Sequence, residues 1–210
     1  MKNSNAKDII VISLKLIIIC IIVAIITASV NIITKDKISL NEMNNKANDI
    51  LDVYVDDFNN AAFEIYANSI VVKDKEQNII ANCKKADCTL LNGVTEVYEI
   101  LDSNGAPYSF SVLISTMGFN NIIEMVVAVN PDLTVKDVNI ISMSETKDMG
   151  TKALSPKFLS QFTNITAEET KEVDVISGAT ITTKAIIKAV SASVEQVASY
   201  IAERAGEINE

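Results

Sequence analysis

The 210-residue chain contains no histidine and only three cysteines. Without histidine it lacks the usual general base at neutral pH and cannot form a Ser-His-Asp triad, so we do not expect a hydrolase. Zinc and iron–sulfur centres use histidine or a set of four cysteines, so neither is expected. Cys20 lies in an apolar run, whereas Cys83 and Cys88 lie outside it and are either a local disulfide or two free thiols.

Positive charge is scarce beyond the N-terminal region. Residues 38–210 carry 13 Lys and Arg against 25 Asp and Glu, whereas residues 1–37 carry five Lys and two Asp. A domain this acidic is not expected to bind nucleic acid. The chain has no internal repeat and no low-complexity linker, and its length allows a membrane segment plus one domain of about 170 residues.

An almost wholly apolar run follows a short N-terminal tail, residues 1–8. The run covers residues 9–33, which is long enough for a transmembrane helix of about 20 residues. A cleaved signal peptide is the alternative, because residues 16–26 fit its apolar region and small residues follow at 27–29. The apolar run continues to Ile33, which favours a retained membrane anchor.

The sequence after the anchor predicts an α+β fold. Apolar residues at helical spacing between Ile38 and Ile65 predict a helical connector over residues 34–68. Residues 69–210 form the predicted domain, which opens with short strands at 70–73 and 78–81. Two hairpins are then predicted. Strand-like runs at 97–101 and 108–115 flank a turn sequence at 103–105, and runs at 122–129 and 135–142 flank another at 130–132. An antiparallel sheet with flanking helices is therefore expected.

The C-terminal region predicts a helix preceded by a tight turn. Its apolar residues recur every three or four positions, at Ile186, Val190, Val194, Val197 and Ile201. A short apolar run at 173–176 predicts a strand, so residues 177–179 would turn from strand to helix around Gly178. Thr180 and Thr182 then lie at the helix start, where a hydroxyl is either an N-cap or part of a phosphate site.

This turn resembles a known cofactor-attachment motif. The sequence Asp174-Val175-Ile176-Ser177-Gly178-Ala179-Thr180-Ile181-Thr182 is similar to the motif of covalent-FMN proteins. These proteins are the G subunit of the Rnf complex and the C subunit of the sodium-translocating NADH:quinone oxidoreductase. The resemblance implies that Thr180 carries FMN through a phosphoester bond made by a separate flavin transferase. It also implies cofactor contacts from Asp174, Ser177, Gly178, Ala179 and Thr182.

Two upstream stretches resemble the same family. Gly118-Phe119-Asn120-Asn121 is similar to its Gly-aromatic-Gly-Gly stretch, and residues 145–152 are similar to its Glu-Thr-Pro-Gly-Leu-Gly-Thr-Lys loop. Lys147 and Asp148 stand where the family has Pro-Gly. The resemblance implies that Met149 packs on the isoalloxazine while nearby amides approach its polar edge. The implied flavin contacts are Gly118, Phe119, Glu145, Thr146, Met149, Gly150, Thr151 and Lys152.

The resemblance implies an electron-carrying subunit of a membrane-bound Rnf-type ferredoxin:NAD oxidoreductase, which couples electron flow to Na⁺ or H⁺ transport. Other subunits would bind ferredoxin, NAD and the ion, and this subunit would not turn over a substrate alone. The alternatives are the related quinone-reductase subunit, a free-standing flavoprotein reductase, and a membrane-tethered binding module without cofactor. In the last case residues 177–182 would be only a capped turn.

The lysine distribution predicts the orientation in the cell membrane. Lys2 and Lys7 precede the span, Lys15 lies near its N-terminal end, and Lys35 and Lys37 follow it, which favours a cytoplasmic N-terminus and a single pass. We therefore expect protease added to intact protoplasts to digest residues 38–210. Protection of that region until the cells are lysed would reverse the orientation.

Overall fold

A computed structural model describes residues 2–58, 61–66 and 69–207 of the chain. The chain divides into two compact units between Asn45 and Lys46. Helix α1 (Lys2–Asp52) begins within the predicted N-terminal tail and supplies its last residues, from Lys46, to the second unit.

One helical segment among the described residues is long and apolar enough to cross a membrane. It is Val11–Asn31, with a mean hydropathy of 2.9 and no buried side chains. The hydroxyls of Thr27 and Ser29 each donate a hydrogen bond of 2.8 Å to the backbone carbonyl four residues earlier. These bonds satisfy the polar groups within the helix itself, which suits an apolar surrounding.

The second unit is built on a seven-stranded antiparallel sheet in which each strand pairs with the next along the chain. The hairpins predicted around residues 103–105 and 130–132 are confirmed, with Gly105 at φ +80° in the first turn. The strands are β1 (Ala62–Tyr66), β2 (Ser69–Lys73), β3 (Ile79–Lys85), β4 (Val94–Asp102), β5 (Pro107–Met117), β6 (Ile122–Val129) and β7 (Val135–Met143).

Two secondary-structure predictions are wrong. The helix predicted to continue to Ile65 ends at Asp52, and Ala62–Tyr66 form edge strand β1 instead. Its apolar residues Phe63 and Ile65 also fit a period of two, and pairing with β2 decides between the two periods. The strand predicted at 173–176 is irregular, and the N–H of Asp174 bonds to the Gln161 side chain at 3.0 Å rather than to a strand.

Helix α3 (Thr180–Glu207) covers one face of the sheet. The predicted apolar stripe is confirmed, since Ile186, Val190, Val194 and Val197 are at most 3% exposed. They pack in one cluster with β5 and β6 residues, including Val112 and Met125. Burying each such side chain stabilises the fold by roughly 1.5–3 kcal/mol, so the start of α3 is held firmly on the sheet.

The last turn of α1 and the residues after it cover the opposite face. Ala47, Ile50, Val53 and Tyr54 are buried there against β2 to β6. The Tyr54 hydroxyl donates to Ser109 Oγ at 3.0 Å and lies 3.0 Å from Ser111 Oγ, and Ser109 Oγ donates to the Val129 carbonyl. A fully buried hydroxyl is therefore satisfied by a polar chain across two strands.

Cys83 and Cys88 are free thiols that pack in different clusters, on opposite faces of the sheet. Cys83 is buried on the α1 face, and burial raises the pKa of its thiol to about 12. Burial also raises the pKa of Cys88, with a further contribution from the nearby Glu203 carboxylate. The disulfide that the sequence left open is not formed.

We expect Tyr54→Phe to lower the free energy of unfolding by about 1–3 kcal/mol, because it leaves the Ser111 hydroxyl buried without a partner. Chemical denaturation of the detergent-solubilised chain measures the change. The double variant Tyr54→Phe/Ser111→Ala should recover part of the loss, because it removes the unpaired hydroxyl as well. A double variant less stable than the single one would contradict this account.

Candidate functional site

The segment between β7 and α3 brings the loop at 144–149 next to the start of α3. It consists of a 3-10 helix (Gly150–Leu154), the short helix α2 (Pro156–Leu159) and two further 3-10 turns (Ser160–Phe162 and Glu169–Glu172). Phe158 and Phe162 are buried, with their rings edge to face at 5.3 Å. These two rings fix the segment to the core.

The turn before α3 depends on a glycine. Gly178 has φ +81°, a left-handed conformation that costs other residues energy. Apart from Gly178 and its two chain neighbours, no residue has an atom within 4 Å of the position that a Cβ would take there, so the outer side of the turn is open. The Ala179 N–H closes the turn by donating to the Ile176 carbonyl at 2.9 Å.

Three threonines at the start of α3 have different environments. Thr182 and Thr183 are at most 1% exposed, and their hydroxyls donate to Glu145 Oε2 at 3.1 Å and to the Ala179 carbonyl at 3.0 Å. Thr180 is exposed, and within the described chain its hydroxyl takes part in no hydrogen bond. Because the helix begins at Thr180 itself, neither Thr180 nor Thr182 is the N-cap.

The Glu145 carboxylate joins three segments. Its Oε1 accepts the N–H of Asn120 at 3.0 Å and, more weakly, that of Asn121 at 3.5 Å. Its Oε2 accepts the Thr182 hydroxyl. One side chain thereby connects the turn before β6, the loop after β7 and the first turn of α3. Hydrogen bonds to an ionised acceptor are stronger than neutral ones, so this connection is a firm one.

Two glycines make room for this carboxylate. A Cβ on Gly118 would lie 2.2 Å from Glu145 Oε1, and a Cβ on Gly150 would lie 2.7 Å from Glu145 Cβ. Both distances are shorter than real contacts allow, so neither position accepts a side chain without movement of its surroundings. The glycines of both upstream motifs therefore serve the packing of Glu145.

Asp148 occupies a position where the resemblance has glycine, and it adopts φ +60°. Aspartate enters this left-handed region more readily than most residues, so the loop keeps a glycine-like backbone without glycine. The Asp148 N–H donates to Thr151 Oγ1 at 3.0 Å, and the Thr146 carbonyl accepts the Met149 N–H at 3.2 Å. These bonds place the Met149 side chain at the surface, where it is 50% exposed.

A pocket of about 240 Å³ lies where these segments meet. Three large apolar side chains on its walls, Phe119, Met149 and Ile181, are at least half exposed. An exposed apolar pocket of this kind favours a flat apolar ligand group. The lining residues are Phe119, Glu145, Thr146, Met149, Gly150, Gly178, Ala179, Thr180, Ile181 and Thr182.

Most predicted site residues therefore lie together, and the others lie nearby. Gly118 packs behind Glu145, and Thr151 holds the loop through its bond to Asp148. Lys152 and Asp174 line a neighbouring depression, and Ser177 is exposed in the turn. Sequence analysis missed Ile181 as a lining residue. The sequence does give an indication of it, because Ile181 is an apolar residue outside the buried stripe of α3.

The charges and polar groups of the pocket limit its chemistry. The described residues contain no cluster of three or more acidic, cysteine or histidine side chains that could hold a metal ion. The first turn of α3 presents backbone amides without helical partners, which favours an anion at that end. The arrangement can hold an apolar ring on its walls and a phosphate beside Thr180.

Parts of the chain are similar to known proteins. Residues 118–195 match the FMN-binding domain family. The chain is 34% identical over 119 residues to the G subunit of the proton-translocating ferredoxin:NAD(+) oxidoreductase complex of Clostridium ljungdahlii, covering 52% of this chain and 64% of that protein. It is 28% identical over 115 residues to the G subunit of the ion-translocating oxidoreductase complex of Methanosarcina acetivorans, covering 51% and 61%.

The matches span less than two thirds of either relative's length. Among solved structures, NqrC of Shewanella oneidensis is similar with 25% identity and a TM-score of 0.44, over 51% of this chain and 59% of that one. The family match begins at Gly118 and contains every residue that lines the pocket. Residues 118–195 are therefore similar to FMN-binding domains, and about half of the chain is similar to the G subunits of ion-translocating oxidoreductase complexes.

Proposed function

We propose that this chain is the electron-carrying subunit of an Rnf-type ferredoxin:NAD oxidoreductase, with FMN attached covalently to Thr180. When bound, FMN supplies reversible acceptance and release of electrons. The chain's own residues would hold the ring, anchor the phosphate and keep the cofactor at the membrane. Neighbouring subunits of the complex would deliver and remove the electrons, and would couple that flow to transport of Na⁺ or H⁺.

The observation that carries the proposal is the environment of the Thr180 hydroxyl. Thr180 is an exposed residue that lines the pocket, and within the described chain its hydroxyl takes part in no hydrogen bond. Thr182 and Thr183 are buried, and their hydroxyls already donate hydrogen bonds. Ser177 is also exposed but does not line the pocket. Of these four residues, only Thr180 is both exposed and among those that line the pocket.

The pocket residues fit FMN. Phe119, Met149 and Ile181 offer apolar contacts for the isoalloxazine, and Gly150 and Thr146 lie where its polar edge could meet the backbone. A volume of about 240 Å³ is below the roughly 300–1,000 Å³ of pockets that enclose a ligand. The ring would therefore be only partly covered, which leaves one side open for electron transfer to a partner.

The remaining motif residues would support attachment. Gly178 leaves the outer side of the turn open to the phosphate, and Ala179 is buried beneath it. Thr182 would hold the helix start through Glu145. Ser177 and Asp174 are exposed in the same segment, where a flavin transferase could contact them. Thr151 and Lys152 would support the neighbouring loop rather than the ring.

The membrane arrangement follows from the anchor. Residues 9–33 would cross the cell membrane once and place residues 38–210 on the extracytoplasmic side. The flavin would then lie outside the cytoplasm, on a domain tethered to the bilayer that holds the membrane-embedded subunits. Partners would be those subunits and, during maturation, the flavin transferase.

Two alternatives make different predictions. The C subunit of the sodium-translocating NADH:quinone oxidoreductase would carry the same cofactor but copurify with quinone-reducing subunits. A binding module without cofactor would have to explain why three exposed large apolar side chains line the same pocket as a threonine whose hydroxyl makes no hydrogen bond in the described chain. A purified chain without flavin, from a host with an active transferase, would favour that module.

We expect Thr180→Ala to abolish the covalent flavin band on a denaturing gel. The hydroxyl makes no hydrogen bond, so its loss should change the free energy of unfolding by less than about 0.5 kcal/mol. Circular dichroism and membrane localisation should stay unchanged, and reduction of NAD⁺ by reduced ferredoxin in the membranes should be lost.

Two controls separate the hydroxyl from its surroundings. Thr180→Ser keeps a hydroxyl oxygen at the same place and should retain flavin. Ser177→Ala removes the other exposed hydroxyl of the turn and should also retain flavin. Flavin that persists in Thr180→Ala but disappears in Ser177→Ala would move the attachment site to Ser177.

We expect two substitutions of Gly178 to distinguish its role in the backbone conformation of the turn from its role in giving the phosphate access to Thr180. Gly178→Val should lower the free energy of unfolding by about 1–2 kcal/mol, because valine is strained at φ +81°. Gly178→Asn tolerates that φ better and should stay folded, yet its side chain would fill the open side beside Thr180 and reduce flavin loading. Full loading of Gly178→Asn would show that close approach is not the role of this glycine.

A further inference from the structure

Among the described residues that line the pocket, only Glu145 has a charged side chain. The other lining residues are apolar, glycine or threonine. A ligand ring in this pocket would therefore lie beside one full negative charge. Charges act more strongly in a partly buried site than in water, because the surrounding dielectric constant is lower.

This charge is not neutralised by an ion pair. The ion pairs found in the described chain join other residues, and none brings a lysine or arginine within 4 Å of Glu145. Its hydrogen bonds come from neutral groups, namely the N–H groups of Asn120 and Asn121 and the Thr182 hydroxyl. They stabilise the carboxylate but supply no positive charge to cancel its field.

The carboxylate also cannot easily swing away. Gly118 and Gly150 pack so closely that a Cβ on either would overlap it, and its two oxygens are bound to different segments. The two hydrogen bonds hold it beside Thr182 in the first turn of α3, on the same pocket that Thr180 lines. A fixed charge exerts a constant effect on whatever occupies the pocket.

We propose that the negative charge of Glu145, held at the pocket by its hydrogen bonds, lowers the reduction potential of the flavin. The inference rests on the proposed function, because it requires the isoalloxazine to occupy this pocket. Full reduction of a bound flavin would require two electrons, supplied in the complex by a reduced redox group of a neighbouring subunit, together with one or two protons from water. When only one proton follows, the ring gains one negative charge, which the carboxylate opposes.

Glu145→Gln removes the charge and keeps the shape. The glutamine carbonyl can still accept the Asn120 N–H, and its amide can donate to the Thr182 hydroxyl, which rotates to accept. At a solution potential equal to the wild-type midpoint, we expect the ratio of reduced to oxidised flavin to be about tenfold higher in the variant than in the wild type. For a two-electron couple this is a rise of about 30 mV.

The experiment is a dye-mediated redox titration of the full-length chain in detergent, purified from a host with the flavin transferase. Glu145→Asp keeps the charge on a shorter side chain and should keep the wild-type potential even if loading falls. Thr182→Val removes one hydrogen bond but no charge, and should lower thermal stability without raising the potential.

The outcomes separate this inference from the proposed function. Equal potentials for wild type and a fully loaded Glu145→Gln would overturn it, as would an equal rise in Glu145→Asp. A folded Glu145→Gln chain that takes up no flavin would also overturn it, because the carboxylate would then be required for the pocket itself. A wild-type chain without flavin would refute the proposed function instead.

Discussion

The site depends on one carboxylate that accepts hydrogen bonds from separate parts of the chain. Glu145 reaches the Asn120 N–H, 25 residues earlier, and the Thr182 hydroxyl, 37 residues later. Each segment alone is a loop or a helix end, and none could hold a pocket wall by itself. Loss of one partner would leave the other hydrogen-bonding group without a partner, which costs more free energy than the bond contributes. Each of the three segments therefore depends on the position of the others. The glycines at 118 and 150 follow from this coupling, because each leaves the space that the carboxylate fills.

The rest of the unit explains why this coupling can be precise. Helix α3 is fixed to the sheet along its whole buried stripe, and β6 and β7 are paired through most of their length. Glu145 follows the end of β7 by two residues, Asn120 precedes β6 by two, and Thr182 lies in the first turn of α3. Each of the three groups is thus within a few residues of a rigid element. Sites supported in this way keep their geometry better than sites in the middle of long loops.

Local patterns predicted much of this arrangement, and tertiary contacts decided the remainder. The hairpins and the apolar stripe of α3 could be predicted because turn residues and a helical period of 3.6 residues are both recognisable over short stretches of sequence. Strand β1 could not, because Phe63 and Ile65 fit both periods and only pairing with β2 separates them. The motif resemblance indicated Glu145, but the sequence could not show that its oxygens join Asn120 and Thr182. Nor could it show that Thr180 is exposed whereas Thr182 and Thr183 are buried, since adjacent threonines are alike in sequence and differ only in helical phase.

A shallow pocket and a covalent bond complement each other. About 240 Å³ of partly open space leaves much of a flavin in contact with water, so burial alone would bind it weakly. A phosphoester at Thr180 would keep the ring at the pocket whatever its intrinsic affinity, because a tethered group has a high effective concentration. The pocket is then free to stay open on the side that Phe119, Met149 and Ile181 leave exposed. Openness is what an electron carrier requires, because the rate of transfer depends on how closely a partner can approach the ring. Under the proposed function, the exposed Thr180 and the exposed apolar walls would therefore act together, because covalent attachment would hold a flavin that the pocket does not enclose.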